Sequence, residues 1–445
     1  MTGPRFGYGT NGFANHRLGD ALRVVADLGY EGVALTLDHQ HLDPFSPTLA
    51  ADVAALAEDL DRLGLAVVVE TGARYLLDPW HKHAPTLLHA DNEPRLDLLA
   101  AAIDIAADLG AEAVSFWSGV RPPDVPDAVA WDRLVAGCAR LVEAATKVRV
   151  PLGFEPEPGM LVADLDGFDR LRARLGDPEF FGLTLDVGHC RCVEPASVPD
   201  CVRRAGPHLV NVQIDDMRRD VHEHLEFGAG EIDFPPVLAA LDEVGYRGLV
   251  AVELPRHSHA APDTARRSLT FLRGAAWQAD AVARITADPT AIRALFPVAR
   301  RRCGPEVADE VRVGLLAALP PDVLADEITS LYRFGDPAEK RAVLRALSVL
   351  PVGDLGLPLV RDALRTNDST LVTAALGPYG SAGLDAPAYR QGVLKCVFMG
   401  IPLAEIGALR VDDELRRMLR AFADERVAAG RPVPADVPMV LAGEA

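Results

Sequence analysis

The sequence predicts a closed (β/α)8 barrel, the TIM-barrel class, followed by an all-α helical domain. Short apolar strand-like runs alternate with helical periods through the first part of the chain. Polar residues gather at the ends of the later strands. Past residue 279 no convincing strand remains, only Ala/Leu/Arg-rich helical periods broken by Pro and Gly.

Taken in order, residues 5–8 read as a strand, 18–28 as a helix, 32–37 as a strand and 48–63 as a helix with apolar residues at helical spacing. A β-branched strand at 65–69 closes on Glu70 and precedes a helix at 94–109. The strand 113–116 closes on Trp117 and precedes a helix at 127–147. Strands at 150–154, 181–185, 208–214 and 249–252 follow, separated by helices near Leu165, Val198, Pro235 and Pro262. Strands that are apolar on both faces belong to a parallel sheet, and eight such units in about 270 residues match the size at which the sheet closes. An open doubly wound sheet competes with this reading, but no Gly-rich phosphate fingerprint follows the first strand.

These patterns divide the chain into a barrel at 1–278, a helical linker at 279–298 and a helical domain at 299–445, with clear helical periods at 306–319, 338–347 and 413–429. Ala and Leu stripes with Arg-rich outer faces are the pattern of ordinary helix-pair core.

Charge narrows the functions. A formal net charge of -19 repels a phosphate backbone, and no Lys/Arg run with interleaved aromatics reverses it locally, so nucleic acid is not an expected partner. The start, Met1-Thr2-Gly3-Pro4-Arg5, enters a strand without a signal-peptide core, and no apolar run is long enough for a membrane span. A soluble, cytoplasmic protein is expected. Cysteines number 6, without zinc or redox spacing, and are expected to be reduced.

In a β/α barrel the catalytic groups project from the carboxyl ends of the strands. Here the fifth strand ends in Glu155, with Glu157 next in GFEPEPG. The sixth ends in Asp186, with His189 just beyond in LDVGH, and the seventh, NVQIDD, offers Gln213 with Asp215 and Asp216. The eighth ends in Glu253. Carboxylates from neighbouring strands would repel one another unless a cation neutralised them. A divalent metal is the economical occupant, and an oxygen-rich donor set favours Mn²⁺, Mg²⁺ or Co²⁺, with Zn²⁺ the remaining option.

FEPEPG, LDVGH, NVQIDDM, HEHLEFGAGEIDF and AVELPRH resemble the xylose isomerase-like barrels, a family that includes sugar epimerases, inosose and hydroxypyruvate isomerases and endonuclease IV-type nucleases. On that resemblance Glu155, Asp186, Gln213 and Glu253 fall at metal-ligand positions, and His189 beside metal and substrate. The family usually carries His at the position of Gln213. His222 and His224 fall on a loop that supplies ligands for further zinc ions in the nucleases, so the resemblance offers a second metal held with His189; the other reading is a solvated loop that closes over substrate. The nucleases also carry histidines at the ends of the third and fourth strands, where Glu70 and Trp117 stand, and this counts against DNA repair.

The resemblance implies a metal-dependent isomerase or epimerase acting on a sugar or cyclitol ketose, with Glu155 and Glu253 as acid and base and His189 assisting. Glu70, Arg74, Trp117, Glu157 and Arg256, at or near strand ends, are candidate substrate contacts. A lyase using the same metal site and a non-catalytic metabolite-binding scaffold are the alternatives. His81-Lys82-His83 has the alternate spacing of a metal pair, but reads better as a loop facing the site.

The tail resembles the EboA family in RTND, YRQGVLKCVFMGIPLAEIGAL and RAFADERVAAGRPVPADV. That resemblance implies a place in metabolite synthesis and traffic, a cyclitol or related ketose as substrate, and homo-oligomer or pathway-protein partners engaged through the helical domain.

Overall fold

The computed structural model of the protein describes residues 4–72, 74–407 and 409–442. The strands are β1 (Arg5–Gly9), β2 (Gly32–Thr36), β3 (Ala66–Glu70), β4 (Val114–Trp117), β5 (Leu152–Glu155), β6 (Phe181–Asp186), β7 (Leu209–Ile214), β8 (Asp216–Arg218), β9 (Val221–Leu225) and β10 (Leu249–Val252). Eight of them close a parallel barrel in the order β1-β10-β7-β6-β5-β4-β3-β2, while β8 and β9 form a separate antiparallel hairpin. This is the (β/α)8 architecture expected from the sequence. Strands such as β2 and β6 are buried at every residue because helices cover the outer face and the lumen fills the inner one.

The lumen is layered. Ala34, Val68, Ala113, Leu249 and Ala251 make a small apolar layer. Beyond it lies a polar layer in which Asn211 Nδ2 donates to Glu70 Oε1 at 3.3 Å and to Thr184 Oγ1 at 3.4 Å. Because side chains alternate along a strand, the same face carries Thr184 to Asp186 on β6, and Asn211 through Gln213 to Asp215 along and just past β7. The register pairs Asp186 with Gln213. The polar layer therefore continues straight into the strand ends.

Two features lie outside the sequence expectation. A helix, Val187–Val193, starts directly at the end of β6, and residues 216–225, expected as a loop, form the β8–β9 hairpin. Both bear histidines.

The chain divides into two compact units, 1–276 and 277–445, with the boundary inside the helix Ala261–Ala287. The second unit is helical throughout its described residues. Residues 279–298, expected as a linker, place Ala281, Ile285, Ile292, Leu295 and Phe296 in that unit's core. Its largest buried charge is Arg312, 2% exposed, whose Nε donates to Phe296 O at 3.1 Å. No helix among the described residues is long and apolar enough to cross a membrane. The cysteines are free and buried.

Candidate metal centre

Glu155 ends β5, Asp186 ends β6, Gln213 lies near the end of β7 and Glu253 follows β10, so four adjacent strands of the barrel deliver them to one mouth. Glu155, Asp186 and Gln213 are buried and Glu253 is half-buried. Asp186 also caps the helix Val187–Val193: its Oδ1 accepts from His189 N at 2.9 Å. Its Oδ2 is buried with no hydrogen-bond partner.

That cap fixes His189, which is 4% exposed. Its Nδ1 lies 3.2 Å from Pro156 O. A carbonyl only accepts, so Nδ1 carries the proton and Nε2 presents a lone pair, 3.0 Å from His222 Nε2 and 3.9 Å from Asp186 Oδ2. Glu155 Oε1 is 3.5 Å from the same ring.

The hairpin completes the cluster. Asp216 accepts from the backbone N–H groups of Met217, Gly228, Gly230 and Ile232 at 2.8–3.1 Å, which folds the following loop around it and leaves Asp216 no ligand role. His222 and His224 are thereby carried over the mouth beside His189, with ring centroids 4.8 and 5.8 Å from its own. Asp215 is completely buried, and its Oδ2 approaches His224 Nδ1 to 2.5 Å without hydrogen-bond geometry; both Asp215 oxygens and that nitrogen lack hydrogen-bond partners. The carboxylate packs so closely on Gly188 that a Cβ there would collide with Oδ1, which explains the glycine in LDVGH.

The donor atoms fall into three overlapping groups, each within 4.8 Å: Glu155, Asp186 and His189; Asp186, Asp215 and His224; His189, His222 and His224. Glu253 stands outside them, with Oε1 accepting from Asn11 Nδ2 at 3.0 Å. Gln213 Oε1 is buried and unpaired.

The electrostatics are those of a site short of positive charge. Burial first, and then the charge of Glu253, pushes Glu70 up to about 8 and Glu157 up to about 7, and both causes raise Glu155 well above the carboxylate range. Burial likewise raises Asp215 and Glu253. Burial opposes ionisation of Asp186 as well, but His189, His224 and the cap N–H outweigh it and hold that carboxyl low. Burial pushes His189 down to about 4 and lowers His222. It works against His224 too, yet Asp215 prevails and raises that imidazole to about 10. Buried carboxyls and unpaired donor atoms that converge in this way fit a divalent cation, because an ion would neutralise the first and satisfy the second.

One cavity of about 660 Å³ brings Glu155, Gln213, His189 and Glu253 together with Glu70, Arg74, Trp117, Glu157 and Arg256; Asp186 does not line it. Lys82 and His83 also reach it. His81 and His83 do not converge: His81 Nδ1 pairs with Asp78 Oδ2 at 2.8 Å, and His83 Nδ1 donates to Gly72 O at 2.5 Å. In NVQIDD, Asp215 and its neighbour Asp216 look alike as candidates. The period of the strand was the available signal, since Gln213 and Asp215 share a face while Asp216 points away. Asn11 gave no such signal, lying in a turn after β1.

Residues 22–275 match the family described as xylose isomerase-like TIM barrel, and residues 306–441 match the family described as metabolite traffic protein EboA. An inosose dehydratase of Geobacillus kaustophilus is 29% identical over 142 residues, 28% of this chain and 45% of that protein, so the chain spans less than half of that relative's length. Among solved structures, an L-ribulose 3-epimerase superposes with a TM-score of 0.52 at 20% identity, over 64% of this chain and 98% of that one. The E. coli 3-keto-D-glucoside 4-epimerase YcjR superposes with a TM-score of 0.50 at 16% identity, over 61% and 99%. At these identities the structural likeness is one of fold.

Proposed function

Since the chain belongs to the xylose isomerase-like TIM barrel family, we propose that its barrel is a metal-dependent isomerase or epimerase of a sugar or cyclitol ketose. One observation carries this reading: the buried Asp186 Oδ2 and Gln213 Oε1, both without a hydrogen-bond partner, gather with the Asp215–His224 pair, Glu155 and Glu253 at the mouth of the barrel.

Glu155, Asp186, Gln213 and Glu253 would hold the principal ion, with Mn²⁺, Mg²⁺ or Co²⁺ suited to mostly oxygen donors. His189, His222 and His224 supply a nitrogen-rich second position that suits Zn²⁺. A bound ion would polarise the ketose carbonyl and offset the charge that develops as the α-proton leaves. The protein supplies the proton traffic. Glu155 ends β5 and Glu253 follows β10, with β6 and β7 between them, so they flank a ketose in the cavity from different sides. One removes the proton alpha to the carbonyl and the other returns one. Asn11 orients Glu253, while Trp117 offers an apolar face to the sugar carbons.

Incorporation of solvent deuterium at the α carbon, across a panel of cyclic and open-chain ketoses, tests this. Metal-loaded protein is expected to catalyse exchange, and the Glu155→Gln, Glu253→Gln double variant to lose it by a factor of about 10³ or more. Exchange retained in the double variant sinks the reading. The similarity to an inosose dehydratase favours a second outcome of the same proton abstraction, expulsion of a β-hydroxyl. Mass loss of one water from the product separates the two.

A further inference from the structure

Arginines across the barrel are mostly engaged: Arg5 pairs with Glu112 at 2.8 Å, Arg203 with Glu243 at 2.7 Å and Arg267 with Glu226 at 2.8 Å. The cavity mouth is different. Arg74, Lys82 and Arg256 all line it, yet among the described residues the side chain of none of them makes a hydrogen bond or an ion pair. In a chain with a net charge of -19 carboxylates are abundant, so unpaired cations around one cavity need another explanation. They are not closed onto the acids below them either, since no carboxylate oxygen of Glu155, Glu157 or Glu253 comes within ion-pairing distance of them.

The cations sit on built supports. Arg74 and Lys82 belong to the loop after β3, whose base is tied by the buried Arg95: it donates to the backbone oxygens of Thr71 at 3.2 Å, His83 at 2.8 Å and Pro85 at 3.0 Å. His83 N closes the same loop on Arg74 O at 2.5 Å. Arg256 comes from the segment after β10, on the other flank of β1 and β2. Cations from both flanks surround the rim, while the carboxyl cluster occupies the floor.

Resting on the isomerase reading, we propose that the natural ketose carries an oxyanion, a phosphate or a carboxylate, seated among Arg74, Lys82 and Arg256 with the keto carbons toward Glu155 and Glu253. Unpaired guanidinium and ammonium donors are the groups that bind such oxyanions by charge-assisted hydrogen bonds.

The test uses the full-length, Mn²⁺-loaded protein. Solvent deuterium exchange is compared for D-ribulose 5-phosphate against D-ribulose and for 2-keto-D-gluconate against D-fructose, which separates phosphate from carboxylate. Inorganic phosphate is titrated calorimetrically in parallel. One anionic compound is expected to exceed its neutral counterpart in kcat/KM by about 100-fold, and the exposed triple variant R74M/K82M/R256M to bring that ratio close to one. A ratio near one in the unmodified protein, with exchange proceeding, overturns the oxyanion seat and leaves the isomerase reading standing. If no ketose exchanges, the isomerase reading fails and the titration decides: phosphate binding lost in the triple variant supports the seat, and equal binding in both proteins overturns it.

Discussion

In the helical unit, Asp309 is 6% exposed and accepts from Arg341 Nε at 2.7 Å, Arg341 Nη2 at 3.1 Å and Arg345 Nη1 at 3.1 Å. Glu327, 5% exposed, is held by both forks of Arg293 at 2.6 and 3.0 Å. In the barrel, Asp215 is buried more deeply and is met by no arginine, only by His224 Nδ1 at 2.5 Å, while Asp186 keeps its Oδ2 unpaired. Carboxylates are locked by arginine in one unit, and in the other they face a histidine or keep an oxygen open. A buried carboxylate locked by arginine is structural; one left open among others marks a place where a ligand is expected to complete the pairing.

The contrast breaks first on activity. Glu253→Gln is expected to lower α-proton exchange by about 10³-fold while raising the melting temperature of the metal-free protein, because it removes a charge that burial and neighbouring acids disfavour. Kinetics and calorimetry on one preparation check both halves. Next in size is Asp309→Ala, which leaves the buried Arg312 short of a neighbour at 4.0 Å and is expected to cost about 3 kcal/mol in denaturant unfolding, with metal content unchanged.

A smaller effect appears with pH. Glu157 and Glu70 hold their protons more tightly when folded than when unfolded, so their contribution to stability is present below the ordinary carboxylate range and lost as pH rises through about 7 and 8. Metal-free protein should therefore melt lower at pH 9 than at pH 6, and saturating Mn²⁺ should flatten that slope. An unchanged slope with metal would mean that the ion does not neutralise these groups. Smallest of all, Glu414→Ala, which breaks the exposed pair with Arg417, should leave the unfolding midpoint unmoved.

The barrel was legible because β-branched and apolar runs buried on both faces carry their own signature, and Glu155, Asp186 and Glu253 were legible because a carboxyl group ending such a run stands out. Gln213 and Asp215 needed the period-2 reading of one strand. The position of His222 and His224 was not readable locally: VHEHL alternates like a solvated loop, and what holds it over the site is distant in sequence, Asp216 gathering backbone N–H groups from residues up to Ile232 and Asp220 N donating to Cys192 O at 3.1 Å. The Asp309 network was also hidden, because its partners lie 32 and 36 residues away on a helix face whose arginines look like ordinary surface charge.

Elemental analysis of the full-length protein and of Asp186→Ala, each purified with Mn²⁺ and dialysed, tests whether the barrel mouth holds a metal ion through Asp186. Stoichiometric retained metal is expected in the unmodified protein and loss of most of it in the variant, with the helical unit still folded. Equal metal content in the two proteins would contradict it.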